Sequence, residues 1–289
     1  MSNKIAFIGL GVMGSPMASN LSKGYSVQGW NRSKRPSVQE AVQAGVEVVP
    51  TISEAVKEAD LICICVGDVE DVKKVIFGEG GIAAHAKNNS LIIDFSTIGP
   101  IAAREIAANL KPHNLRFIDA PVSGGDVGAK NGTLTIMVGG EKDAFQESLP
   151  LLERMGKKIV HCGEVGKGQA VKLCNQVICA INLVAVCEGI KLAEKLELDP
   201  NLMIEVCSGG AADSWQSRNL GVKINESDLN PGFMIKHILK DLRLVKESIA
   251  DTNIDLPGIK LADSLFKIVE NMGGSEQGTQ AMIRAYRES

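Results

Sequence analysis

Two rhythms of apolar and polar residues alternate along the first 163 positions of the chain. Short β-branched runs predict strands over 4–10, 26–31, 46–49, 61–66, 90–95, 115–119, 133–138 and 158–162. Between them, apolar residues recur every three or four positions and predict helices near 12–23, 36–44, 53–59, 69–77, 101–110 and 143–155. Alternation of this kind implies a parallel sheet with right-handed crossovers and helices on both faces. Leu61–Val66 and Ser90–Asp94 are nearly unbroken apolar runs, as strands covered on both faces require.

The rhythm changes at Gly163–Gly168. From Gln169 to about Leu196 there is no proline and a single glycine, Gly189, and apolar residues occupy nearly every face. Such a segment is expected to be a buried central helix. Its most apolar part, Val177–Cys187, is far shorter than the roughly 20 residues of a membrane span, so no membrane partner is expected. Only helical patterns follow, near 200–207, 213–225, 235–251, 257–272 and 276–287. The expected fold class is therefore α/β over 1–163, a doubly wound sheet, followed by an all-α C-terminal domain over 164–289. A long interdomain helix near 168–196 joins them.

Composition narrows the functional classes. The 289 residues suffice for two domains, and 45% hydrophobic against 22% charged residues is the balance of a chain with a large core, which excludes disorder. A net charge of −3 offers no general attraction for nucleic acid or an anionic membrane, and 4% aromatic residues disfavour a base-stacking platform. Seven cysteines without a C-x-x-C pair suggest neither a disulfide framework nor a zinc site, and point to a reducing, cytoplasmic compartment. Histidines 85, 113, 161 and 237 lack metal-ligand spacing, so no metal is expected. A strand beginning at Lys4 leaves no room for a targeting peptide.

Candidate chemistry begins at Gly9-Leu10-Gly11-Val12-Met13-Gly14, a G-x-G-x-x-G pattern that follows a strand and opens a helix. In that context it binds a dinucleotide pyrophosphate on the backbone N–H groups of the helix start. About 20 residues on, an NAD site usually carries an acid for the ribose 2′-OH. Here Asn31, Arg32 and Ser33 stand at the end of the second strand, followed by Lys34 and Arg35. A guanidinium grips a 2′-phosphate where an acid would repel it, so NADPH/NADP+ is expected over NADH. Asp119-Ala-Pro-Val-Ser123-Gly124-Gly125 follows a strand, at the edge of the sheet where substrates bind. Its hydroxyl and unobstructed amides suit a small carboxylate, and a plain β-turn is the competing reading. Lys172, Asn175 and Gln176 share one face of the long helix at i, i+3 and i+4. A cation on so apolar a helix is costly to bury unless it is paired or functional.

Together with Lys240-Asp241, these motifs resemble the β-hydroxyacid dehydrogenase family over essentially the whole chain. That family includes 3-hydroxyisobutyrate dehydrogenase, tartronate semialdehyde reductase and glyoxylate/succinic semialdehyde reductase. The resemblance implies an N-terminal Rossmann domain and a helical domain that makes oligomer contacts, in a homodimer or homotetramer. It implies Lys172 as catalytic residue, Ser123, Gly124, Gly125, Asn175, Gln176, Phe233 and Asp241 around the substrate, and Val66, Gly67, Thr97 and Lys240 at the cofactor. The implied reaction is NADPH-dependent reduction of a short aldehyde acid, such as glyoxylate or succinic semialdehyde, with Lys172 as general acid. Trp30-Asn-Arg-Ser33 is similar to the glyoxylate/succinic semialdehyde reductases, whereas Cys207–Asp213 and Asn175-Gln176 are similar to tartronate semialdehyde reductases. A non-catalytic binding module is the alternative from another class, disfavoured by the presence of Lys172.

Overall fold

The computed structural model describes residues 4–287, in two compact units that divide in the chain between Lys172 and Leu173. The first unit is built on strands β1 (Lys4–Ile8), β2 (Ser26–Trp30), β3 (Glu47–Val48), β4 (Leu61–Ile64), β5 (Leu91–Asp94), β6 (Arg116–Asp119), β7 (Val122–Ser123), β8 (Leu134–Gly139) and β9 (Gly156–Gly163). Its helices are α1 (Gly14–Ser22), α2 (Pro36–Gln43), α3 (Ile52–Val56), α4 (Val69–Phe77), α5 (Ile82–His85), α6 (Gly99–Leu110), α7 (Gly125–Asn131) and α8 (Lys142–Leu152). Helix α9 (Lys167–Lys195) carries the chain into the second unit. There follow α10 (Pro200–Ser208), α11 (Val222–Asn225), α12 (Ile235–Ser248), α13 (Pro257–Val269) and α14 (Arg284–Arg287).

Six strands run parallel in the order β3-β2-β1-β4-β5-β6, the doubly wound arrangement that the strand–helix alternation implies. Successive side chains of a strand point to opposite faces. Ile5, Phe7, Cys63 and Ile93 accordingly join one core with α1 and α8. Ala6, Ile8, Ile62, Ile64 and Ile92 join a second core with α3, α4, α5 and α6. Both faces are dry, which is why these strands read as unbroken apolar runs.

Beyond β6 the sheet departs from the all-parallel expectation. Strand β8 runs antiparallel to β6 and β7, and β9 pairs parallel with β8. The pairs Asp119↔Gly139, Val122↔Ile136 and Ser123↔Thr135 keep one register, so β6 and β7 form a single strand edge interrupted at Ala120-Pro121. Pro121 has no N–H to give to the ladder, and its carbonyl accepts Met137 N at 3.0 Å. The seven-residue helix α7 then returns the chain directly into β8. No helical pattern marks Gly125–Asn131, which carries two glycines and a terminal asparagine, so neither α7 nor β7 is expected from the sequence.

Helix α9 also differs from expectation, because only part of it is buried. Ala180, Leu183, Val184, Cys187 and Ile190 pack with α10, α12 and α13 residues in the core of the second unit. Ile178, Ile181, Ala185 and Leu192 form an exposed stripe at helical spacing. By length and composition alone α9 could cross a membrane, but its buried face belongs to a helix-on-helix core. The pattern near 213–225 resolves into a π-helical turn, Gln216–Gly221, before α11, and that near 276–287 into a 3₁₀ segment, Thr279–Ile283, before α14. All cysteines are free thiols.

Candidate active site

Strands β1, β4, β5 and β6 are parallel neighbours, so the loops that follow them emerge along one edge of the sheet. That edge carries the glycine loop, Val66-Gly67, Ser96–Gly99 and Asp119 with its continuation to Gly125. Arg32 lies in the loop after β2.

The glycine loop is shaped by close approach. Gly9 has φ +101°, and a Cβ there would lie 2.2 Å from the Cys65 carbonyl oxygen, while one at Gly14 would lie 1.9 Å from the Gly9 carbonyl oxygen. No side chain fits either place. At Gly11, by contrast, a Cβ would meet nothing within 4 Å, and Val12 is exposed beside it. The loop thus presents bare backbone and the start of α1 to open space, the arrangement a pyrophosphate needs. Asn31 holds it in place, since its Oδ1 accepts Leu10 N at 2.9 Å and its Nδ2 donates to the Ser33 carbonyl at 2.7 Å. Ser37 Oγ donates to the Leu10 carbonyl at 2.7 Å. These residues therefore fit a dinucleotide.

Arg32 is exposed, and its Nη1 lies 2.8 Å from Oδ1 of Asp71, in the first turn of α4. Ser33 Oγ accepts Arg35 Nε at 3.1 Å. Val66 N donates to Ser96 Oγ at 3.0 Å, which joins the loop after β4 to the loop holding Thr97. Ser123 is half-buried, Gly124 is exposed, and a Cβ at Gly125 would meet nothing within 4 Å.

Lys172 stands on the second turn of α9 with only 7% of its surface exposed. One residue to which sequence reasoning gave no role of its own holds that helix. Asp119 is fully buried; its Oδ1 accepts Gly166 N at 2.6 Å and its Oδ2 accepts Gln169 N at 2.8 Å. A carboxylate from β6 thus satisfies the first free N–H groups of α9, where the helix dipole favours negative charge. The fit is close, since a Cβ at Gly168 would lie 2.2 Å from the Met137 carbonyl oxygen and 2.8 Å from Asp119 Oδ2. Burial pushes the Asp119 carboxyl up to about 6, and the two backbone N–H bonds pull against that rise. A cap supplied from nearly fifty residues away leaves no local spacing signature. The only sequence hint was an acid at the end of a strand and a glycine-rich helix start.

In the second unit, Gln176 Nε2 donates to Asp241 Oδ2 at 2.5 Å, and Asn175 Nδ2 donates to Gln176 Oε1 at 2.9 Å. Lys240 Nζ lies 2.9 Å from Asp241 Oδ1, and both side chains are largely buried, not the solvated pair their spacing alone suggests. Phe233 is exposed and stacks on His237, ring centroids 5.9 Å apart. Burial, Lys240 and Lys236 hold the His237 imidazole below the usual histidine range. Trp215 is half exposed.

Comparison with known proteins agrees with this geometry. A family model described as the NAD binding domain of 6-phosphogluconate dehydrogenase matches residues 4–163, and one described as the NAD-binding domain of NADP-dependent 3-hydroxyisobutyrate dehydrogenase matches 166–286. An uncharacterised oxidoreductase of Synechocystis sp. is 60% identical over 99% of both chains. The 2-hydroxy-3-oxopropionate reductase of Escherichia coli K12 is 36% identical over 98% of this chain and 96% of its own. The structure of Mycobacterium tuberculosis 3-hydroxyisobutyrate dehydrogenase with L-serine superposes with a TM-score of 0.87 at 33% identity, over 99% of this chain and 100% of that one. Fold and site together define an NAD(P)-dependent oxidoreductase acting on a CH–OH group. The chain belongs to the β-hydroxyacid dehydrogenase family.

Proposed function

We propose that this enzyme reduces a short aldehyde acid with NADPH, and that Lys172 is its general acid. The carrying observation is a lysine held buried one turn past a helix start that is anchored at the carboxyl edge of the sheet. NADPH, when bound, supplies a hydride to the carbonyl carbon. The Lys172 ammonium donates a hydrogen bond to the carbonyl oxygen, stabilises the negative charge that grows there, and passes its proton to the oxygen. Ser123 and the Gly124 and Gly125 amides hold the carboxylate. Asn175 or Gln176 orients the substrate; the two amides are bonded to each other, so they act as a pair. Phe233 and Asp241 are read as substrate-binding and Lys240 as cofactor-binding, as the family resemblance implies.

Arg32 supports NADPH over NADH, and the match to a family described as NADP-dependent favours the same cofactor. Glyoxylate and succinic semialdehyde are the favoured substrates. The similarity to a 2-hydroxy-3-oxopropionate reductase, together with the Asn175-Gln176 pair, favours tartronate semialdehyde as the second reading. The enzyme works in the cytoplasm as a homo-oligomer. Steady-state rates with these aldehydes, each with NADPH and NADH, test the assignment, and absence of turnover with all of them would revive the binding-module alternative. Lys172→Ala is expected to lower kcat by roughly 10²–10⁴-fold while NADP+ still binds. Full activity in that variant removes the lysine from the mechanism.

A further inference from the structure

The buried start of α9 contains a side chain whose polar atoms all turn away from the helix. Gln169 is fully buried, and its Oε1 accepts both Ile98 N and Gly99 N at 3.0 Å. Its Nε2 donates to the Ser96 carbonyl at 2.8 Å. Ile98 and Gly99 begin α6, whose own residues supply no side-chain cap. Gln169 therefore caps α6 from another helix, just as Asp119 caps α9 from a strand. Ser96 extends the chain of bonds, since its Oγ accepts Val66 N at 3.0 Å. The loops after β4 and β5 and the end of β6 are thus pinned to the start of α9. Gln169 and Lys172 are i, i+3 on that helix, so they share a face.

We infer that Gln169 is a positioning residue, which couples the Ser96–Gly99 loop to the turn of α9 that presents Lys172. This rests on the proposed roles of Lys172 and of Thr97, which sits in that loop. The amide is required because the position needs an acceptor for two N–H groups and a donor to a carbonyl at once. Glutamate keeps the acceptor but sets a carboxylate oxygen against the Ser96 carbonyl.

Amide exchange, steady-state rates, cofactor binding and an isotope effect test the coupling. In the free, unmodified protein the Ile98 and Gly99 amides should exchange slowly with solvent, and in Gln169→Glu they should exchange faster. In the same variant kcat should fall at least about tenfold, the size of effect that follows a displacement of well under 1 Å at reacting groups. The KM for NADPH and the Kd for NADP+ should rise, and the deuterium isotope effect with nicotinamide-deuterated NADPH should grow as hydride transfer becomes rate-limiting. A merely structural glutamine predicts otherwise: activity would fall only with the folded fraction, with KM and isotope effect unchanged, and that result overturns the inference. Gln169→Asn, which keeps the amide but shortens its reach to Ser96, Ile98 and Gly99, is the second variant should Gln169→Glu fail to fold. It should shift the isotope effect and KM in the same direction, and no shift in it would equally overturn the inference. Lys172→Ala separates the two levels of the argument. An inactive Lys172→Ala beside a normal Gln169→Glu rejects the coupling alone, whereas an active Lys172→Ala rejects the proposed reaction.

Discussion

At the scale of single residues, the proposed preference for NADPH rests on Arg32, and its partner bears on it. Arg32 was legible in the sequence because its position is counted from the glycine loop. Asp71 was not, because it comes from α4, 39 residues on, and only the fold brings it within 2.8 Å. An exposed ion pair of this kind is worth about 0–1 kcal/mol, so a phosphate dianion can displace the carboxylate cheaply, but the carboxylate still repels it. Asp71→Asn is therefore expected to lower the KM for NADPH by about two- to fivefold at low salt, with less effect as salt screens the charge, and to leave the KM for NADH little changed. Arg32→Asp should act in the opposite direction, weakening NADPH far more than NADH. Parallel KM measurements with both cofactors at two ionic strengths decide the matter, and an unchanged NADPH preference in both variants would falsify the electrostatic account.

At the scale of elements, the regular strands and long helices followed from apolar periodicity alone, since each buries a face that the pattern announces. The pieces that escaped were those held by tertiary bonds. Strand β7 is two residues long and α7 carries no apolar stripe, while the start of α9 was placed within a residue without showing that Asp119 fixes it. The same carboxyl provides a test by pH. Its value in the folded protein is about 6, against 3.8 for the ordinary side chain, so the native state binds a proton that the unfolded chain has already lost. In the window between those values stability must fall as pH rises, by roughly 3 kcal/mol in all if the full difference is realised. Asp119→Asn removes that slope. Denaturant titrations from pH 4 to 7 should show wild-type stability falling relative to the variant as pH rises, and parallel curves would refute a raised Asp119.

At the scale of the molecule, the exposed stripe of α9 gives the proposed homo-oligomer a surface to test. Ile178 and Leu192 are each 59% exposed, on a helix whose other face is core. Exposed large apolar side chains on one helix face, here Ile178, Ile181 and Leu192, are a recognised mark of subunit contact, and a symmetric dimer would place the same stripe on both copies. Ile178→Glu should lower the molar mass measured by light scattering toward that of one chain, because two like charges would face each other across such an axis. An unchanged mass would remove α9 from the contact.

Apolar periodicity, the glycine loop and the order of motifs were enough to determine the class of fold, the nature of the cofactor loop and the lysine worth testing. Those features are local: each depends on residues a few positions apart, where helix and strand geometry dictate which side chains meet. The caps on α6 and α9, the Arg32–Asp71 pair, the single edge formed by β6 and β7, and the exposed face of α9 were decided only by tertiary structure. Each joins residues far apart in the chain or depends on which side of an element finds a neighbour. Spacing along a sequence carries no record of either.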